Sequence, residues 1–127
     1  MAFERMKTKV LKVAIAPREA IMRYTKDVVA GRRRRTPDDP DVWFTSLESF
    51  AKVLSDKNRE LLTLIAQRKP DSIDALAAAS GRAKSNLSRT LHTMERYGFV
   101  RLEKGAGRKL RPVLAFARVE LSLKLAA

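Results

Sequence analysis

The stretch "GRAKSNLSRTLHTMERYG", residues 81–98, decides the fold. It predicts a glycine turn followed by a helix over 84–97, because apolar side chains recur there at helical spacing. On the helical wheel Leu87, Leu91 and Met94 cluster on one side, as core-facing residues do. The opposite side carries polar and cationic residues at spacings of three and four: Ser85, Arg89, His92 and Arg96. Any surface helix turns polar residues outward, so this stripe gains meaning only from the segments around it.

Further helices are predicted on the N-terminal side of this stretch. Ser72 is expected to start a short, alanine-rich helix over 73–79, and Ser55 is expected to cap the helix before it. Thr45 and Glu48 have the spacing of a capping box, which predicts a still earlier helix. Two helices joined by a tight glycine turn are typical of a helix-turn-helix.

On the C-terminal side the period of the apolar residues changes from 3.6 to 2. Residues 99–103 are predicted to form a strand, "KGAGRK" at 104–109 a glycine-rich turn, and Leu110 the start of a returning strand. Alternation then continues over 113–125, which predicts a long C-terminal strand, although helical spacing is also permitted there. A hairpin directly after the second helix is the wing of a winged helix-turn-helix.

The N-terminal part is predicted to be a basic strand–helix extension over residues 1–35, with its strand at 9–15. The segment 36–41 is interpreted as a linker or surface turn, and 42–127 as the winged helix-turn-helix domain. Four consecutive arginines at 32–35 allow two interpretations: a solvated run at a helix C-terminus, or an arm that touches phosphates or enters a minor groove.

The charge distribution indicates an anionic partner. The 127 residues carry a formal charge of +13, with eleven basic and three acidic residues over 1–35 and seven against two over 101–127. The centre, 36–100, is balanced at nine of each. An excess confined to two flanks favours nucleic acid over mere solubility.

Several classes of function are not expected. One His and no Cys cannot form a zinc site, and no nucleophile–base pair suggests an enzyme, so neither a metal, a cofactor nor a catalytic residue is predicted. Asp38, Asp39 and Asp41 lack the pattern of a calcium loop and are expected to be solvated. No apolar run approaches the roughly eighteen residues of a membrane span, and Lys12 interrupts the signal-like start. The absence of cysteine is typical of a cytoplasmic protein.

The predicted fold is therefore α+β: a winged helix-turn-helix with an N-terminal strand–helix extension and a long C-terminal strand. Helix 84–97 would lie in the major groove, where Arg89 can bind guanine and Asn86 adenine through two hydrogen bonds each. Wing cations would contact the sugar-phosphate chain. The predicted DNA-binding residues are Lys84, Ser85, Asn86, Ser88, Arg89, His92, Arg96, Lys104, Arg108, Lys109, Arg32, Arg33, Arg34 and Arg35.

The core "LAAASGRAKSNLSRTLHTMERYGFV" resembles MarR-like winged-helix regulators. Over about residues 42–104 the chain resembles a family of winged-helix DNA-binding proteins of bacteria and archaea, some of them encoded beside a small toxin. The resemblance implies DNA contacts at the positions of Ser85, Ser88 and Arg89. Ala83 departs from the family pattern, which has a Ser or Thr cap there.

These observations predict a sequence-specific regulator of transcription that binds double-stranded DNA as a homodimeric repressor. The resemblance implies an alternative, an antitoxin that binds a cognate toxin directly and represses its own operon. A third possibility is a general binder of RNA or chromosomal DNA. Mutual pairing of the two flanking strands, within one chain or between two, is expected to cover their apolar faces.

Overall fold

Five strands and five helices build the part of the chain that the computed structural model describes, residues 10–126. In chain order they are β1 (Val10–Ile15), α1 (Arg18–Val29), β2 (Val42–Phe44), α2 (Leu47–Val53), α3 (Asp56–Arg68), α4 (Ile73–Ser80), α5 (Lys84–Arg96), β3 (Val100–Lys104), β4 (Leu110–Leu114) and β5 (Arg118–Leu123). The predicted α+β class is confirmed. The predicted strand over 9–15 is confirmed for 10–15, and Lys9 lies outside the described residues.

β1 is the centre of a three-stranded parallel sheet with the order β2-β1-β5. The flanking strands predicted to pair with each other do so within one chain, Leu11 lying opposite Val119. Leu11 and Val13 are buried against Met94 and Val100, so the N-terminal strand belongs to the same core as the helical part. α1 supplies the crossover that a parallel connection from β1 to β2 needs.

The predicted long strand over 113–125 is wrong, because the chain changes sheets within it. β4 ends at Leu114 in an antiparallel hairpin with β3, and β5 begins at Arg118 in the parallel sheet. Between them the Ala115 N–H donates to the Phe99 carbonyl at 3.1 Å. Unbroken alternation cannot reveal such a step, because both strands turn apolar residues toward one interior.

The two faces of the parallel sheet carry different elements. Phe44 stacks on Tyr97, which follows α5, with ring centroids 4.4 Å apart. Its neighbour Trp43 points to the other face and meets Tyr24 of α1 at 5.2 Å. Alternate strand residues point to opposite faces, so α5 and α1 lie on opposite sides of the sheet.

Short polar caps start three of the helices. Ser55 and Ser72 accept backbone hydrogen bonds at the starts of α3 and α4, as predicted. The capping box at Thr45 is wrong by one residue: Ser46 is the N-cap of α2, and its hydroxyl accepts the N–H three residues on at 3.1 Å. Because β2 keeps the chain extended through Phe44, α2 begins one residue later than the capping box predicts.

A second apolar cluster joins α3, α4 and α5, and partly buried residues of the hairpin pack against it. Leu87, Leu91 and Met94 of α5 are each 0% exposed, which confirms the predicted inner stripe. Leu87 and Leu91 pack in this helical cluster, and Met94 packs in the one beneath the sheet. α5 therefore packs against both apolar clusters. Within residues 10–126 no helix has the length and apolarity to cross a membrane.

Candidate nucleic-acid interface

The outward face of α5 is open to solvent along its whole length. Ser85, Arg89, His92 and Arg96 are exposed, opposite the three buried apolar residues. Asn86 is exposed beside them, and Ser88 is partly buried. The predicted orientation of the helix is confirmed, and its polar stripe is available to a partner.

His92 is turned back onto its own helix. Its Nδ1 lies 2.7 Å from the Ser88 carbonyl oxygen. A carbonyl can only accept, so Nδ1 carries the proton and Nε2 is the acceptor of the neutral ring. In this tautomer Nε2 of His92 can accept a hydrogen bond from water or from a base amino group.

The turn before α5 leaves that helix without a side-chain cap. Ala83 is the N-cap residue and makes no capping hydrogen bond. Gly81 ends α4 with φ of +75°, a left-handed conformation that glycine adopts without strain. Lys84 pairs with Asp74 at 2.9 Å, so part of its charge is already compensated within the chain.

Sequence reasoning missed a contact that fixes this turn. Arg82 Nη1 donates to Asn58 Oδ1 at 3.0 Å, and Asn58 Nδ2 donates to the Val53 carbonyl at 2.9 Å. Together they tie the residues just before α5 to the start of α3. A small cleft of about 250 Å³ beside Asn58 is lined by Arg89 and also by Lys52, a further missed cation near the α5 surface. No local spacing links residues this far apart in sequence.

The hairpin tip forms as predicted and carries free cations. The Gly105 N–H donates to the Lys109 carbonyl at 2.8 Å, and Gly107 has φ of +66°, where a side chain would be strained. Lys104, Arg108 and Lys109 are exposed. Within residues 10–126 none of the three forms an ion pair, so their charges are available to an anionic partner.

The N-terminal end of α4 lies between the hairpin tip and the start of α5. A Cβ on Gly105 would be 3.6 Å from the Asp71 carbonyl oxygen, which places the tip against the turn before α4. In the first turn of α4, Asp74 binds Lys84 of α5. The structure therefore brings the hairpin cations and the start of α5 to one end of the molecule.

Two polar contacts stiffen the hairpin. Glu95 of α5 accepts the Leu102 N–H of β3 at 2.8 Å, which fixes the hairpin to the helix. Across the hairpin Arg111 donates to Glu103 at 2.8 Å, and this bond lowers the pKa of Glu103 against the opposing effect of burial. The charge of Arg101, 3.6 Å away, acts in the same direction. The hairpin is therefore fixed in position relative to α5.

The predicted arginine arm is not part of this surface. Three of its members are ion-paired: Arg32 with Asp27 at 3.1 Å, Arg33 with Asp39 at 3.0 Å, and Arg35 with Asp41 at 3.0 Å. Arg34 is exposed and has no ion pair among residues 10–126. The run follows α1, and Arg33 lines the groove on the α1 side of the sheet, away from α5. In the single chain these arginines therefore do not extend the α5 surface, and their contact with DNA stays a prediction.

In the acidic turn after the arginines, Asp38 and Asp41 are exposed, as expected, whereas Asp39 is buried and acts as a latch. Asp39 is only 7% exposed; it accepts from the Tyr24 hydroxyl and the Thr36 N–H, both at 3.1 Å, and pairs with Arg33. The Thr36 bond is the largest cause of a lowered Asp39 pKa, with burial opposing it and the other two partners adding to it. Burial, followed by the Asp39 bond, raises the pKa of Tyr24. The segment 36–41 therefore anchors α1.

We expect Asp39 to make folding stability depend on acid pH. Its folded pKa lies below the unfolded value of about 3.9, so its contribution is fully present above about pH 5 and is lost as pH falls through the folded pKa. In urea unfolding, Asp39→Asn should be less stable than wild type at neutral pH, and the difference should shrink in acid. Asp38→Asn, on an exposed neighbour, is the matched control; equal profiles for both variants would contradict the latch.

Fold and site define an α+β protein that presents one outward polar helix and one cationic hairpin tip at the same end. The chain belongs to the HVO_A0114 family, whose model matches residues 53–121. That range runs from the end of α2 into β5 and includes α5 and the hairpin. Membership assigns no activity by itself. No curated protein and no solved structure matches the chain.

Proposed function

We propose that this protein binds duplex DNA through a winged helix-turn-helix and regulates transcription, as a homodimeric repressor. The observation that carries the proposal is α5, which buries three apolar residues completely and exposes Ser85, Arg89, His92 and Arg96 on its other side. A helix held this firmly can present a fixed pattern of donors to a groove, which sequence-specific readout requires.

The dimensions of α5 support this role. Thirteen residues extend about 20 Å at 1.5 Å per residue, and the major groove is about 12 Å wide, enough to admit a helix. Arg89 and Asn86 lie in the first two turns, the part that reaches base edges in helix-turn-helix proteins. Ser88 and Arg96 suit phosphates on either side of the groove.

The hairpin tip supports a second contact. Lys104, Arg108 and Lys109 are exposed and unpaired among residues 10–126, and the tip lies at the α5 end of the molecule. Free cations at a glycine turn approach the sugar-phosphate chain closely and bind without reading sequence. In this arrangement α5 would contact the bases, and the hairpin tip would contact the sugar-phosphate backbone.

The two other hypotheses differ from this one in what they predict. A general nucleic-acid binder would bind all duplexes equally well, or prefer RNA. Toxin neutralisation rests on the family resemblance alone. An antitoxin that represses its own operon would also use the α5 stripe on DNA, and it differs in binding a toxin as well. The exposed polar stripe favours DNA.

The proposal is tested by duplex titration over a range of salt concentrations. Selection from a random duplex library supplies the preferred sequence, and a scrambled duplex of equal length is the comparison. We expect a clear preference for the selected sequence. Replacing Lys104, Arg108 or Lys109 with alanine should each lower the slope of log affinity against log salt by about 1 without changing the preference.

Lys26→Ala is the control for these wing variants, because Lys26 is an exposed cation on α1, across the sheet from α5. Its salt slope should equal that of the wild type. Equal affinity for selected and scrambled duplexes would reject sequence-specific regulation. Unchanged slopes in all three wing variants would place the hairpin away from DNA.

A further inference from the structure

β5 lies at the edge of the parallel sheet, and its leucine side chains are exposed to solvent. It pairs with β1 on one side, and no described strand pairs with its other side. Leu121 and Leu123 are 41% and 44% exposed, and Leu125, just beyond the strand, is 96% exposed. A free edge flanked by exposed leucines invites another strand, and proteins that leave such an edge uncovered risk uncontrolled association.

The element beside this edge is also incompletely packed. α1 contains no buried residue, and Met22 and Val29 are exposed. Between α1 and the sheet runs an open groove of about 1370 Å³ that extends along β5 as far as Ala126. The strand edge and the groove form one continuous surface, which we name the β5 edge surface: β5, residues 124–126 and the exposed face of α1.

The charges on β5 and on Lys124, the residue that follows it, decide which partner fits. When two copies of one strand pair in antiparallel orientation across a two-fold axis, the central residue lies opposite its own copy. Every other residue lies opposite a residue of the second copy whose sequence number differs by an even amount, so few registers are possible. A register centred on Glu120 sets Glu120 against its own copy, and one centred on Leu121 sets Arg118 against Lys124. A register centred on Ser122 sets Glu120 against Lys124 twice, so the strand is complementary to itself.

The same register also buries the exposed leucines. It places Leu121 opposite Leu123 of the second copy, and the symmetric pair repeats the contact. Leu125 then lies at the end of the paired region, beside Val119 of the second copy. Within residues 10–126 neither Glu120 nor Lys124 forms an ion pair, so both charges are available across the interface.

We propose that a second copy of this chain pairs with β5 in antiparallel orientation, centred on Ser122. The two three-stranded sheets would become one sheet of six strands in the order β2-β1-β5-β5-β1-β2. Both α1 helices would lie on one face of it and both α5 helices on the other. This inference names the surface that joins the two copies and does not rest on DNA binding, since it concerns the free protein.

Charge reversal at two positions tests the surface. In sedimentation velocity at micromolar concentration the full-length protein should be a dimer. E120K and K124E should each weaken dimerisation by about tenfold or more, because both symmetric pairs change from attraction to repulsion. An equimolar mixture of the two variants should form a heterodimer, and the double variant E120K/K124E should dimerise like the wild type.

E60K and K57E are the matched controls, with the same charge changes at exposed positions of α3. Both should remain dimeric, and circular dichroism should show all variants folded. A monomeric wild type, single variants that dimerise as tightly as the wild type, or a mixture that does not associate would each overturn the proposal. The mixture keeps the test decisive even if one variant is less stable alone.

Cysteine cross-linking tests the register directly, because the chain contains no cysteine. S122C should oxidise to a covalent dimer, since residues directly opposite each other in an antiparallel pair lie about 4.5–5.5 Å apart at Cα, within disulfide range. E120C should not, because residue 120 would be four positions, or roughly 13 Å, from its own copy. Cross-linking of E120C in preference to S122C would reject the proposed register.

Discussion

The Leu91→Ala substitution is expected to lower the free energy of unfolding by about 2–5 kcal/mol. Leu91 is 0% exposed and packs in the cluster that joins α3, α4 and α5. Truncation removes apolar burial and leaves a cavity that close-packed neighbours on three helices can fill only in part. The loss is a large fraction of the stability of a domain of this size.

Urea denaturation followed by circular dichroism measures this loss. Arg89→Ala is the comparison, because Arg89 lies two residues earlier on the same helix and is exposed. Its effect on unfolding should stay within about 0.5 kcal/mol. A loss well under 1 kcal/mol for Leu91→Ala would mean that α5 is not held by this cluster, and the fixed geometry proposed for readout would lose its basis.

For DNA binding we expect the substitution at Arg89, and not the one at Leu91, to have the larger direct effect. Arg89→Ala should cost about 1–3 kcal/mol on the selected duplex and relax the base preference at one position. The guanidinium can donate two parallel hydrogen bonds to guanine O6 and N7, and no described neighbour holds it in an ion pair. On the scrambled duplex the loss should be smaller, because only the charge contributes there.

Two further substitutions separate charge from geometry. Arg89→Lys keeps the positive charge and removes the planar fork, so it should retain affinity for the scrambled duplex and lose preference for the selected one. Arg96→Ala, near the far end of α5, should weaken both duplexes alike, as a phosphate contact does. Equal losses for Arg89→Ala on both duplexes would show that Arg89 meets phosphate only.

Some of the candidate site follows from local spacing. The inner and outer stripes of α5 could be predicted because a helix repeats every 3.6 residues, and the position of each side chain depends on residues three and four away. Ser55 and Ser72 could be predicted as caps because a cap bonds to the next turn of its own helix. The hairpin tip could be predicted because Gly107 permits a conformation that other residues resist.

Other features depend on residues distant in the chain. Asp39 is buried because Tyr24, Arg33 and Thr36 meet it in the folded structure, whereas its sequence context indicates only a polar turn. That contact also removes Arg33 from the set of free cations. A count of charges cannot tell a basic residue that binds a partner from one that is already paired.

The sequence by itself determined the α+β class, the helix whose polar side faces out and the glycine turn that carries three cations, because each depends on contacts within a few residues. Only the tertiary structure decided that β1 lies at the centre of a parallel sheet, that the C-terminal run divides between two sheets and that the arginines lie across the sheet from α5. Strand pairing joins residues far apart in sequence, and any apolar alternation fits several partners equally well. The choice among them is made by packing of the whole chain, where Leu11 and Val13 must cover Met94 and Val100.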